Sequence, residues 1–166
     1  YYRQLVCLVT QDSHIFSNTF KFNITLGLRN DLEFQDFFQF IKTEIYYLNE
    51  WGITEDSLIE PSKLSLGQKQ LICALRSIFL KKPIVFFDEI SSALDSNLEL
   101  ALRKTILLIQ KNALTIIVAH RIETLLNSNS ILVIDNGRLE TSGNHDVLLK
   151  NSIIYKKFIN EITQFS

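Results

Sequence analysis

At 166 residues, with 46% hydrophobic and 21% charged residues, the chain is long enough for one well-cored domain or for one domain plus a small lobe, and a disordered or fibrous protein is excluded. Lys and Arg (17) nearly balance Asp and Glu (18), leaving a formal net charge of -1 with no basic run longer than two residues. This excludes a nucleic-acid binder that works by bulk electrostatics, so any bound anion must be met locally. Cys7 and Cys73 lie far apart in no paired spacing, which argues against a disulfide framework or a zinc site and fits a reducing compartment.

In chain order, RQLVCLVTQ predicts a short strand over Leu5 to Val9 that ends on polar Thr10 and Gln11. DSHIFSNTFKFNITLGL is polar and aromatic by turns without a clean period, and reads as loop and short irregular pieces. From 32 to 48 the character changes: Phe34, Phe37, Phe38, Ile41, Ile45 and Leu48 recur at three and four, the apolar stripe of a packed helix. TEDSLIEPSK carries turn and cap residues with Pro61 as a breaker. SLGQKQLICALRSIFLKK then runs as a second amphipathic helix, with Leu71, Ile72, Leu75, Ile78 and Phe79 inward and Ser65 or Gly67 at its start.

PIVFFDE is a continuously apolar run of strand length, the pattern of a strand covered on both faces in a parallel sheet. LELALRKTILLIQ predicts a helix, LTIIVAH another covered strand and RIETLLNS a short helix. The alternation implies an α/β sheet with right-handed crossovers. ILVIDNGRLETSG breaks that rhythm, because Asp135-Asn136-Gly137 between two apolar runs signals a hairpin and hence an antiparallel pair. The tail NHDVLLKNSIIYKKFINEI is helical, and the sequence shows no internal repeat or low-complexity linker. No apolar stretch approaches the roughly 18 residues that span a bilayer, and YYRQLVC lacks the layout of a signal peptide.

In open parallel sheets, ligands bind beyond the carboxyl ends of the strands. Three polar groups occupy that position on three separate predicted strands: Gln11, the pair Asp88-Glu89, and His120. Taken singly, Gln11 is an ordinary loop residue and His120 a structural histidine. The acidic pair is harder to dismiss, because a carboxylate at the rim of an apolar strand needs a cation or donors to stay ionised. A hard cation such as Mg2+ would supply that, leaving the second carboxylate to polarise a water as general base. KLSLGQKQ adds a small Ser-x-Gly at the head of a long helix, which suits either a backbone approach to an anion or an ordinary serine cap.

Together these residues resemble the ATPase domains of ABC transporters. LSLGQKQ resembles their signature motif, usually written LSGGQ; IVFFDE resembles the Walker B strand, SALD the D-loop, His120 in IIVAHR the switch histidine, and Gln11 in LVTQDSHIF the Q-loop. All five stand in the family's order from about Arg3 onward, and the region around Gln11 is most similar to the exporter subgroup. The resemblance implies a partial P-loop NTPase of the RecA-like α/β class, with a parallel sheet, a helical signature subdomain, and a C-terminal hairpin plus helix. On that reading, 1–30 is the Q-loop strand and loop, 31–80 the helical subdomain, and 81–166 the Walker B, D-loop and H-loop regions with the final hairpin and helix.

The resemblance further implies ATP and Mg2+ as cofactors. Asp88 would hold Mg2+ through water, Glu89 would activate the attacking water, and His120 would contact the γ-phosphate. Gln11 would reach both metal and water, while Asp95 would couple the halves of a dimer. Ser65, Gly67 and Gln68 would touch the γ-phosphate of ATP held mainly by a second nucleotide-binding domain. A transmembrane domain would be the other partner, at the cytoplasmic face of a membrane, with no nucleic acid involved.

Two departures matter. Leu66 replaces the first glycine of the signature, which predicts a reduced phosphate contact. More severely, a P-loop needs G-x-x-x-x-G-K-[ST], and none of glycines 27, 52, 67, 137 and 143 is followed by lysine. With no methionine and an opening on Tyr1-Tyr2, the expectation is a C-terminal portion of a longer domain, inactive by itself and apolar where its sheet is incomplete. The alternative is a non-catalytic module that supplies its signature helix in trans.

Overall fold

The computed structural model describes residues 2–10, 12–28, 31–88, 95–119 and 122–164, with the side chains of 2, 3, 123 and 162–164 outside that description. The chain divides into two compact units, Tyr1–Val118 and Ala119–Ser166.

The first unit is built on three parallel strands, β1 (Val6–Val9), β2 (Ile84–Asp88) and β3 (Leu114–Val118), in the order β1-β2-β3. The expected first strand loses a residue at its start, because Leu5 ends a helical turn, α1 (Tyr2–Leu5). Leu8, Phe86 and Ile116 are paired across the sheet, as are Val9, Phe87 and Ile117. Since side chains alternate faces along a strand, these two rows point opposite ways. Val9, Val85 and Phe87 are buried in a cluster with Cys73 and Ala74 of α5 (Leu66–Phe79) and Ile109 of α6 (Ser96–Gln110).

The opposite face corrects the expectation of strands covered on both sides. Leu8 is 56% exposed, Leu114 61% and Val118 51%. A continuous apolar run records that both faces avoid water, and here only one of them is packed within the described residues.

A helical layer makes the second core of this unit. Where loop was expected, a short helix α2 (Phe20–Thr25) forms. Thr19 caps it by accepting from the Phe22 N–H at 3.0 Å, and buried Asn23 accepts from Phe16 N–H at 2.8 Å while donating to the Phe16 and Thr19 carbonyls. The long apolar stripe is carried by two helices rather than one, α3 (Asp31–Glu44) and α4 (Tyr47–Glu50). Asn49 closes the break by donating to the Lys42 carbonyl at 2.9 Å, satisfying one of the orphan acceptors at the end of α3. The stripe still runs through: Phe34, Phe38, Ile41, Ile45 and Leu48 are all buried.

These residues pack on Leu71, Ile72, Leu75 and Phe79 of α5 and on Leu98 and Leu102 of α6. Helix α5 is therefore shared, with Cys73 and Ala74 facing the sheet core and its leucines facing the helical core. Each fully buried leucine or isoleucine stabilises by about 1.5–3 kcal/mol, so α5 holds the helical layer to the sheet.

The second unit contains α7 (Ile122–Leu126), the antiparallel pair β4 (Ile131–Asp135) and β5 (Arg138–Gly143), α8 (His145–Asn151) and α9 (Ile153–Gln164). The expected hairpin turns at Asn136 (φ 47°) and Gly137 (φ 74°), the left-handed pair that a tight type I′ turn requires. The tail is two helices because buried Ser152 interrupts it, accepting from Tyr155 N–H at 3.1 Å and donating to Glu140 at 3.2 Å. Ile131, Val133, Leu148, Tyr155 and Ile159 form the core of this unit.

Candidate functional site

Asp88 is the last residue of the middle strand, exposed, and in register with Val118 at the end of β3. The carboxyl ends of all three parallel strands therefore share one edge. Gln11, Glu89 and His120, expected just past those ends, lie outside the described residues. The loop leading to Gln11 is anchored on its far side by Ser13, whose hydroxyl donates to the Thr10 carbonyl at 2.8 Å and accepts from Thr10 N–H at 3.1 Å.

Ser65 and Gln68 meet at the head of α5 as a capping box. Ser65 Oγ accepts from Gln68 N–H at 3.2 Å, and Gln68 Oε1 accepts from Ser65 N–H at 3.0 Å. The box satisfies two of the four N–H groups orphaned at a helix start, and the two it leaves to other acceptors belong to Leu66 and Gly67. The Ser65 hydroxyl can accept from the helix and still donate outward. Leu66 lies in the first turn, exposed, whereas Gly67 is buried. Of the two readings of KLSLGQKQ, the serine cap is the one the structure shows.

Sequence reasoning missed Tyr47. Its hydroxyl accepts from Gln68 Nε2 at 3.0 Å, a contact between residues 21 apart. Burial pushes the Tyr47 phenol above its ordinary range; the Gln68 hydrogen bond pulls it down, and the Asp95 and Glu50 carboxylates push it up. Asp95 consequently sits within electrostatic reach of Tyr47. It also has a local task, capping α6 by accepting from Leu98 N–H at 2.9 Å. Glu50 on α4 accepts from Asn97 Nδ2 at 3.1 Å, fastening α4 beside that same helix start.

Arg76 was also missed, because it interrupts the apolar face of α5 without a charge partner in the sequence pattern. It is buried, with Nε donating to the Asn23 carbonyl at 2.7 Å and Nη2 to the His14 carbonyl at 3.1 Å. An arginine can place its donors on two carbonyls at once because its guanidinium is a planar fork. It ties the signature helix to the segment that follows Gln11.

Among the described residues, no group of three or more His, Cys, Asp or Glu could hold a metal ion. Asp88, an exposed carboxylate at the strand edge, is an oxygen donor of the kind that Mg2+ takes beside phosphates and waters.

No family model matches the chain. It is 32% identical over 160 residues to an ATP-dependent lipid A-core flippase of Francisella tularensis and 34% identical over 168 residues to the multidrug resistance-like ATP-binding protein MdlB of Buchnera aphidicola. These alignments cover 93% and 94% of this chain but 26% and 27% of the relatives. A solved bacterial Atm1-family ABC exporter with ATP bound matches 96% of the chain at a TM-score of 0.78 and 29% identity. The chain is homologous to part of an ABC exporter. It spans about a quarter of the curated relatives' length, 26% of the flippase and 27% of MdlB, and 28% of the Atm1-family chain. Among the described residues of this ABC-exporter homologue, no helix is long and apolar enough to cross a membrane.

Proposed function

We propose that the chain is part of the nucleotide-binding region of an ABC exporter, and that it carries the metal-directed, water-directed and signature groups of a transport-coupled ATPase. The observation that carries this reading is the match of 96% of the chain to an exporter with ATP bound. The strand-edge position of Asp88 and the capped head of α5 agree with it.

Phosphoryl transfer is catalysed mainly by positioning and charge neutralisation. When bound through Asp88, Mg2+ supplies positive charge against the phosphates. Glu89 orients a water and takes its proton as it attacks, a contribution of about 10² to 10⁴ in rate for a well-placed base. Gln11 positions that water, and His120 donates to the γ-phosphate. Ser65 Oγ with the Leu66 and Gly67 N–H groups faces the γ-phosphate of ATP held by a second nucleotide-binding domain, while Asp95 links the two halves. The partners are that second domain, arranged head to tail, and a transmembrane domain, at the cytoplasmic face of a membrane.

The main phosphate cradle lies outside these 166 residues, since no glycine here is followed by lysine. Joining the chain to an upstream P-loop segment and measuring Mg2+-dependent phosphate release tests the reading. The longer polypeptide hydrolyses ATP and the chain alone does not; a folded, ATP-binding longer polypeptide without turnover would sink it.

The missing P-loop also favours a second reading, in which the chain serves only in trans. It would then stimulate a P-loop-bearing partner, and Ser65→Arg would abolish the stimulation.

A further inference from the structure

Cys7 on β1 and Cys73 on α5 are 66 residues apart in sequence, yet each sulfur rests against the other's backbone segment. The Cys7 thiol points at the Cys73 carbonyl at 4.0 Å, and the Cys73 thiol at the Leu8 carbonyl at 3.6 Å. Each sulfur is therefore seated on the backbone of the element that carries the other cysteine. Both are reduced; Cys7 is half-buried and Cys73 is buried in the sheet core beside Val9 and Val85.

We propose that Cys7 and Cys73 are a redox-sensitive thiol pair that a peroxide converts to an intramolecular disulfide. The thiolate of one cysteine attacks a peroxide oxygen; the O–O bond breaks, hydroxide leaves and is protonated to water, and a sulfenic acid remains. The second sulfur then attacks the sulfenic sulfur, the S–OH bond breaks, and a second water leaves with that thiol's proton. Two thiols lose two electrons and one peroxide is reduced to two waters.

The Cys73 thiol is lowered to about 7, first by the neighbouring Cys7 and then by the Arg76 charge and Ser13, against burial. Cys7 is pushed up by its hydrogen bond to Cys73 and by burial. Partial exposure of Cys7 gives a small peroxide a path to the pair. The bond would fasten β1, which leads toward Gln11, to α5, which begins beside Ser65. The pairing is independent of either reading of the ATP site.

The test is to treat the folded 166-residue chain with hydrogen peroxide, alkylate remaining thiols with iodoacetamide, and digest without reductant for mass spectrometry. Both cysteines become resistant to alkylation together, the chain loses two hydrogen atoms, a Cys7–Cys73 peptide appears, and dithiothreitol restores both thiols. In urea the same link forms on the order of tenfold more slowly or worse, because a flexible tether supplies only a millimolar effective concentration. Independent alkylation of both cysteines, separate sulfinic acids, links only between chains, or equal rates in urea would each overturn the proposal.

Discussion

Gln68 donates from its amide nitrogen to the Tyr47 hydroxyl at 3.0 Å while its amide oxygen accepts from Ser65 N–H at 3.0 Å. One side chain thus joins the head of the signature helix to α4, and the residue expected to meet a phosphate is already held in place.

Tyr47→Phe keeps the ring and removes the acceptor. Urea denaturation should show a loss of about 0.5–1.5 kcal/mol, the usual net value of one hydrogen bond. An unchanged midpoint and slope would mean that Gln68 is positioned by the cap alone.

Asp95 holds the start of α6 through its bond to Leu98 N–H. Asp95→Ala should destabilise the chain itself by about 1 kcal/mol, with Asp95→Asn near wild type because asparagine caps as well. A residue whose only task lay across a dimer interface would leave the stability of the monomer untouched in both variants.

Arg76→Met removes both donors from the Asn23 and His14 carbonyls inside the fold. The expected cost is about 3 kcal/mol, and Arg76→Lys should recover only part of it, since an ammonium lacks the two-pronged geometry. Full recovery by lysine would show that charge, and not the fork, is what the site needs.

Leu8, Leu114, Ile116 and Val118 line the open side of the sheet. Contiguous apolar surface of this kind drives association. Light scattering should therefore detect self-association at rising concentration, reduced in the double variant Leu114→Lys, Ile116→Thr. Unfolding free energy should move by no more than about 0.5 kcal/mol, as for other exposed positions; association unaffected by the substitutions would locate it elsewhere.

Much of this was legible from residue order. The run PIVFF gave the middle strand, and Asn136-Gly137 the turn, because each pattern reports a local requirement of the backbone. The stripe from Phe34 to Leu48 predicted which side chains are buried but not the break before Tyr47, since apolar spacing continues across it. Helix α2 escaped notice because it is six residues long and rests on Thr19 and Asn23 rather than on a periodic face. Tyr47 and Arg76 were hidden for a different reason: their partners lie 21 and 53 residues away, and nothing local announces such pairings. Cys7 and Cys73, read as unrelated by spacing, are brought together by the packing of α5 on β1 in the same way.

The central claim, that Glu89 following Asp88 activates water for ATP hydrolysis, is tested most directly by Glu89→Gln in a polypeptide that also contains a P-loop. Phosphate release should fall by about 10² or more, while Mg-ATP affinity measured by titration calorimetry stays within a few-fold of the parent. Turnover at the parental rate with unchanged affinity would contradict the assignment.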